Sequence, residues 1–222
     1  MGGESFIRRG TMTENITVFT QNSIRITDRD RQIYIDPFQM REEPQDADYI
    51  LITHDHYDHF SPEDIKKVAG SNTILIVPEK MQGKANEATD FVSRIVTVKP
   101  GVHQEIDGLE IETVPAYNIL KPFHPKSAEW VGYILQVDGK RVYIAGDTDA
   151  TQEAKSVKCD IALIPIGGTY TMDAKQAAEL VNTICPSVAI PVHYGSIVGK
   201  PDDGEVFADN VKDPIKVEFK IS

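Results

Sequence analysis

The sequence predicts an α+β domain in which two sheets pack together with helices outside. Three observations carry this. The first third of the chain is a series of short apolar bursts separated by polar turns, the pattern of an antiparallel start to a sheet. The second half alternates strand with helix. The residues able to bind a metal fall at the ends of the predicted strands.

The opening strands are predicted over 16–19, 23–26 and 32–35, and Asp36-Pro37-Phe38 ends the third. After a polar loop over 41–48, Tyr49-Ile50-Leu51-Ile52-Thr53 forms an unbroken apolar run, which reads as a buried strand. Ser61, with Pro62 at the first helical position and Glu63 and Asp64 after it, starts a helix over 61–69 that Gly70 stops. A strand over 73–77 and a short helix over 79–88 follow. Strands over 94–98, 104–106 and 109–114 come next, the last two joined by the hairpin signal Asp107-Gly108. An irregular loop over 115–127 leads to a second hairpin, 131–137 and 140–145, across Asp138-Gly139.

The closing segment reads as strand 161–166, helix 173–184, strand 188–192, helix 202–211 and strand 215–221. Asp173 and Gln176 stand in capping-box relation at the start of the first of these helices. No composition break marks a linker, so residues 14–222 are expected to form one domain after a disordered extension over 1–13.

The 222 residues are ample for a core, and the formal charge of −11 (23 basic against 34 acidic) narrows the partners. It disfavours nucleic acid and an anionic membrane surface, leaving a small-molecule substrate. An anionic small substrate stays open, because bound cations dominate the field within a site. Two cysteines, Cys159 and Cys185, are too few for a disulfide framework, and their apolar flanks predict buried free thiols. There is no apolar stretch of about 18 residues to cross a membrane and no secretory apolar region at the N-terminus. A cytoplasmic protein is expected. Homo-oligomerisation is compatible with the sequence but not specified by it.

Chemistry concentrates in His54-Asp55-His56-Tyr57-Asp58-His59, which holds three of the six histidines. Imidazole and carboxylate together suit a borderline divalent metal such as zinc. The histidines fall at i, i+2 and i+5 with Asp58 at i+4, a set no single helical face collects. A turn can point two ligands one way and two the other, which suits two adjacent metals. Asp147 follows a strand and could either bridge two cations or cap a helix over 148–155; the histidine cluster favours the bridge. His193 ends a buried strand before Tyr194-Gly195-Ser196, which copies the placement of His54. Tyr170 and Tyr194 read more readily as core packing than as substrate contacts, and His103 as an exposed strand residue.

Through Thr53 to His59, Ala145-Gly146-Asp147-Thr148 and Ile190 to Gly195, the sequence resembles the metallo-β-lactamase-fold superfamily. Within it the chain looks most like the branch of the L-ascorbate-6-phosphate lactonase and related bacterial hydrolases. The resemblance implies a four-layer αββα sandwich with a dinuclear site at one edge. It implies that His54 and His56 hold the first metal, that Asp58, His59 and His193 hold the second, and that Asp147 bridges. Two zinc ions are the expected cofactors, with manganese or iron as alternatives. Oxygen-reducing di-iron relatives carry glutamate where this chain has His56, so the histidine favours hydrolysis.

One departure stands out. The family places a third histidine for the first metal after a strand, where this chain has Asn118 in Pro115-Ala116-Tyr117-Asn118. An amide oxygen is a weaker ligand than imidazole for such a metal. His124 is the candidate substitute, the alternative being a substrate-contacting or surface histidine. Tyr117 and Asn118 are expected to face substrate. The implied activity is cleavage of a small ester, lactone or phosphoester by a metal-bound hydroxide, with Asp58 orienting it and accepting its proton. A metal-binding sensor or scaffold without turnover, or a nuclease of the same fold, are the other readings.

Overall fold

The computed structural model describes residues 12–221. One sheet contains β1 (Ile16–Thr20), β2 (Ser23–Asp28), β3 (Arg31–Ile35), β4 (Ala47–Leu51), β5 (Ala69–Pro78) and β6 (Arg94–Val98), adjacent in chain order. Its first three strands are antiparallel and β3 to β6 are parallel. The other contains β7 (His103–Ile106), β8 (Leu109–Pro115), β9 (Val131–Val137), β10 (Lys140–Ile144), β11 (Ile161–Pro165), β12 (Val188–Val192) and β13 (Lys216–Val217), again in order. It is antiparallel from β7 to β10 and parallel from β10 to β13. Both sheets therefore share one plan, a meander followed by a parallel run. The two Asp-Gly turns behave as their chemistry dictates: Asp107 and Gly108 (φ 47 and 85) and Asp138 and Gly139 (φ 48 and 73) take left-handed backbone in tight hairpins.

Three apolar layers separate four layers of structure. Between the sheets lie Ile24, Ile35, Leu51, Leu135, Ile144 and Ile190. Outside the first sheet, α1 (Pro62–Val68) and α2 (Gln82–Ala85) pack Ile65 and Ala85 onto Ile50 and Leu75. Outside the second lie α3 (Gln152–Lys155), α4 (Ala174–Ile184) and α5 (Asp203–Asn210), with Leu180, Val181 and Phe207 against Ala162 and Ile164. Strand β4 is covered on both faces, Leu51 by the other sheet and Ile50 by helix, which is why it reads as an unbroken apolar run. The arrangement is the αββα sandwich.

The parallel runs position the site. They bring the C-terminal ends of β3 and β4 to one edge, and those of β10, β11 and β12 to another. Direct bonds hold the two edges together. Val131 N donates to Thr53 O (3.2 Å), Tyr133 Oη to Ile52 O (2.7 Å) and His193 N to Gln21 O (2.9 Å). Gly146, at φ 63, passes so near that a Cβ would sit 3.1 Å from the Thr53 side chain.

Several expectations need correction. The helix over 79–88 is broken: a 3₁₀ turn, the four residues of α2 and a second 3₁₀ stretch, Asn86–Phe91, follow one another. Gly83 and the uncapped ends give no continuous helix support. Helix α1 does not end on a glycine cap. Ala69 is already extended, and Gly70 lies within β5, where a Cβ would meet Gln45 O at 2.7 Å. The closing strand shrinks to Lys216–Val217 and a bridge from Ile221 to Val18. Cys185 is exposed, because it caps α4 in left-handed backbone with its thiol on Asn182 O; Cys159 is half-buried. Of the extension expected over 1–13, residues 1–11 lie outside the described residues. Thr13 is buried and receives a bond from Lys220 Nζ (2.8 Å).

Candidate metal centre

The turn after β4 carries His54, His56, Asp58 and His59 to the shared edge; Asp147 follows β10 and His193 follows β12. His193 takes φ 58, left-handed for a non-glycine residue, at the point where the chain turns out of the sheet. His124 arrives by a different route. The loop after β8 folds back on itself, with Asn118 N donating to His124 O (2.8 Å) and His124 N donating to Asn118 Oδ1 (3.2 Å). This places His124, fully buried, with Nε2 3.4 Å from His54 Nε2.

Three overlapping groups result: His54 with His56 and His124, Asp58 with His59 and His193, and His54 with His59 and Asp147, the ligand atoms of each within 4.8 Å of one another. Asp147 divides itself between the first two. Its Oδ2 lies 3.4 Å from His124 Nε2 and 3.9 Å from His54 Nε2. Its Oδ1 lies 3.4 Å from His193 Nε2 and 3.5 Å from His59 Nε2 and, though buried, makes no protein hydrogen bond.

The hydrogen-bond network assigns the histidine tautomers around the first group. Thr53 Oγ1 donates to Asp36 Oδ2 (2.6 Å), so it accepts from His54 Nδ1 at 3.0 Å. His124 Nδ1 donates to Asn118 Oδ1 (3.1 Å). Both Nε2 atoms then carry lone pairs that face each other at 3.4 Å in a buried site with no proton between them. His59 Nδ1 bonds Asp36 Oδ2 (2.7 Å) and turns its Nε2 to His193 Nε2 at 3.0 Å. Converging lone pairs beside a carboxylate oxygen without a donor fit divalent cations.

The comparisons with known proteins agree with this chemistry. A family model described as "Beta-lactamase superfamily domain" matches residues 15–193. A UPF0173 metal-dependent hydrolase of Pyrococcus abyssi is 32% identical over 202 residues, 84% of this chain and 88% of the relative. The chain belongs to this family of metal-dependent hydrolases in the beta-lactamase superfamily. A solved structure from Parabacteroides distasonis, also described among metal-dependent hydrolases, is 35% identical over 93% of each chain with a TM-score of 0.79. Igni18, a metallo hydrolase of Ignicoccus hospitalis, shares the fold at 24% identity and a TM-score of 0.73.

Electrostatics in this hydrolase follow burial and charge. Burial, then neighbouring His59, hold His54 well below the usual imidazole range. Burial alone would lower His59 too, but Asp147 and Asp36 outweigh it and raise it to about 9. Burial would raise Asp147, yet His193 and His59 hold it well below the usual carboxylate range. In metal-free protein, His59 thus keeps a proton that an ordinary histidine loses near 6.5. Its contribution to stability is complete below that pH and is lost as pH rises through about 9. A metal takes the same Nε2 lone pair, so loading at neutral pH should release a proton and tighten as pH rises. Calorimetric titrations in buffers of different ionisation enthalpy check this; a heat independent of buffer contradicts it.

Other residues fall as follows. Asp147 does not take the alternative role of capping the next helix; Thr151 does, its side chain accepting from Ala154 N. Asn118, expected to face substrate, is engaged within the protein. It is buried, and its Nδ2 donates to Tyr170 O (2.9 Å) and Asp149 Oδ1 (3.3 Å) while its oxygen holds His124. Tyr117 turns its hydroxyl to Glu153 Oε2 (2.8 Å). Tyr194 is buried as expected, but Tyr170 is exposed. His103 is exposed in β7, 2.7 Å from Glu110 Oε1.

Two residues of the site escape sequence reasoning. Asp36, fully buried, accepts from Thr53 N (2.7 Å), Thr53 Oγ1 and Asn22 Nδ2 (2.7 Å), as well as touching His59. Trp130 lies 5.1, 5.0 and 5.4 Å, ring centre to ring centre, from His54, His56 and His124 and walls the first group.

Proposed function

We propose that this hydrolase cleaves a small ester, lactone or phosphoester at a two-metal site. His54, His56 and His124 would hold one ion, Asp58, His59 and His193 the other, and Asp147 would serve both. The single observation behind this is the division of the Asp147 oxygens between two groups of imidazole nitrogens. The imidazole-rich set favours zinc, with manganese or iron as alternatives. When bound, a pair of such ions supplies an acidified water as nucleophile and positive charge for the oxyanion of the transition state.

The protein's own groups do the rest. Asp58, with Oδ2 3.3 Å from His193 Nε2, orients the attacking water and accepts its proton. Burial would raise this carboxyl, but the hydrogen bond to His193 and the charge of His59 hold it below its ordinary value, so it is ionised and ready at neutral pH. Trp130 packs its ring against the His54 side. Asn118 fixes the His124 tautomer, and Asp36 does the same for His59. With a histidine returned to the first group, the sensor or scaffold reading loses its main support. The charge of −11 still disfavours a nuclease. Free Cys159 and Cys185 support a reducing, cytoplasmic setting.

The test is metal loading. Purified protein should carry two equivalents of metal, lose hydrolysis on chelation and recover it when zinc is returned. Trp130, the one tryptophan of the chain, gives a readout independent of turnover: cobalt should quench its fluorescence in step with binding. One equivalent or none, or an unquenched tryptophan, would sink the two-metal reading.

A further inference from the structure

Eight large apolar side chains are exposed among the described residues, and six of them lie on the catalytic edge: Tyr57, Ile119, Leu120, Phe123, Tyr170 and Ile197. Tyr57 stands between His56 and Asp58, and Ile197 is in the loop that leaves His193. Of the other four, Ile119, Leu120 and Phe123 are in the loop that carries His124, and Tyr170 packs against Phe123. Phe123 precedes His124 and meets the Tyr170 ring edge-on at 4.7 Å. Tyr170 is tied through its carbonyl to Asn118, which holds His124. Leu120, 94% exposed, is the most exposed of the set and gains nothing from packing. Apolar exposure gathered on one side of a molecule marks a surface that covers something. Here it borders His56, Asp58 and His124 in the chain.

The charge around this rim is as informative. Recognition of a phosphate asks for a cation free to pair with it. The two lysines of the loop are already paired: Lys121 lies 2.6 Å from Asp149 Oδ1 and Lys126 2.8 Å from Glu153 Oε1. Lys84, near the histidine turn, donates to Asp55 O.

We infer that the substrate is an uncharged carboxylic ester or lactone whose apolar acyl or aryl group lies against the Ile119–Leu120–Phe123–Tyr170 rim. This rests on the hydrolase reading and narrows it: the ions would attract a phosphoester as well, but the loop lysines add no unpaired charge for one, while the rim offers apolar surface for an acyl or aryl group. In the reaction, water oxygen adds to the acyl carbon and the bond from that carbon to the alcohol oxygen breaks. The departing oxygen takes one proton of the water. The other is released as the acid product ionises, so one alcohol and one carboxylate form and nothing is oxidised or reduced.

The test compares zinc-loaded protein on p-nitrophenyl acetate, p-nitrophenyl hexanoate and bis-p-nitrophenyl phosphate, with chelated protein as blank. The hexanoate should exceed the acetate in kcat/KM by at least about tenfold, as apolar pockets discriminate by methylene content. In the double variant Ile119→Ser, Leu120→Ser that ratio should fall towards one while metal content stays at the wild-type level. Both positions are exposed, so folding is not at stake. Equal use of the two esters, an unchanged ratio in the variant, or preference for the phosphodiester overturns the inference and leaves the hydrolase reading standing. A variant that elutes at half the wild-type mass shows that a second copy covers the rim, and also overturns it. No turnover of any probe by protein carrying two metals removes the hydrolase reading as well.

Discussion

Asp58→Ala should leave the protein folded, lower kcat by about ten-thousand-fold and remove one of two metal equivalents. Loss of a positioned general base accounts for as much as about ten-thousand-fold by itself. The metal loss follows from geometry. Asp58 belongs with His59 and His193 and has no place in the group around His124. It lies beside the opening rather than in the apolar layers, so its removal leaves no cavity in the core. Parallel measurement of kcat and zinc content separates its two roles. Asp58→Asn should keep part of the metal and lose proton transfer. Unchanged turnover in either variant would remove Asp58 from the mechanism.

His124→Ala should empty the opposite group, leaving one equivalent of metal bound by Asp58, His59 and His193. His54, His56 and a single Asp147 oxygen then face a cation with one imidazole fewer. The loss in affinity at that group should exceed the about 10- to 100-fold that follows removal of a group bonded to a ligand. Asn118→Ala gives the comparison. It keeps the imidazole and removes the oxygen that fixes its tautomer, so its defect should lie within that 10- to 100-fold and yield to excess zinc. His124→Ala should resist the same excess. If Asn118→Ala proves the more severe, the amide rather than the imidazole holds the metal. Far-ultraviolet circular dichroism of the metal-free variants separates lost binding from lost folding.

The contrast between these residues shows what a sequence displays. The hairpins were legible because Asp-Gly has one cheap way to turn, and β4 because a strand covered on both faces cannot alternate. His54 to His59 was legible because its ligands are neighbours in the chain. Asp147 and His193 needed only the rule that parallel strands end together. His124 was harder to place. Its position depends on a loop closed by two hydrogen bonds to Asn118, and no periodicity records them. Asp36 was missed although the same strand-end rule points to it. Its place beside His59 comes from β3 and β4 pairing in register, Ile35 with Leu51, which sets Asp36 beside the turn that follows β4, and nothing within β3 itself signals a histidine partner. Trp130 and the exposed rim sit in irregular segments, where side-chain neighbours follow from backbone path alone.

Each putting-together of ligands crosses the seam between the sheets. His54 and His56 from one side meet His124 and Asp147 from the other, and Asp58 and His59 meet Asp147 and His193. On the two-metal reading, each ion would be a rivet between two halves of one chain. Because the riveted state exists only when the halves are docked, free metal acts as a ligand of the native fold. Every tenfold rise in its concentration above the dissociation constant adds about 1.4 kcal/mol to the native state at each such site. Metal supply would then set the stability of the protein as well as its activity, and a chain without metal would present its catalytic edge unfastened.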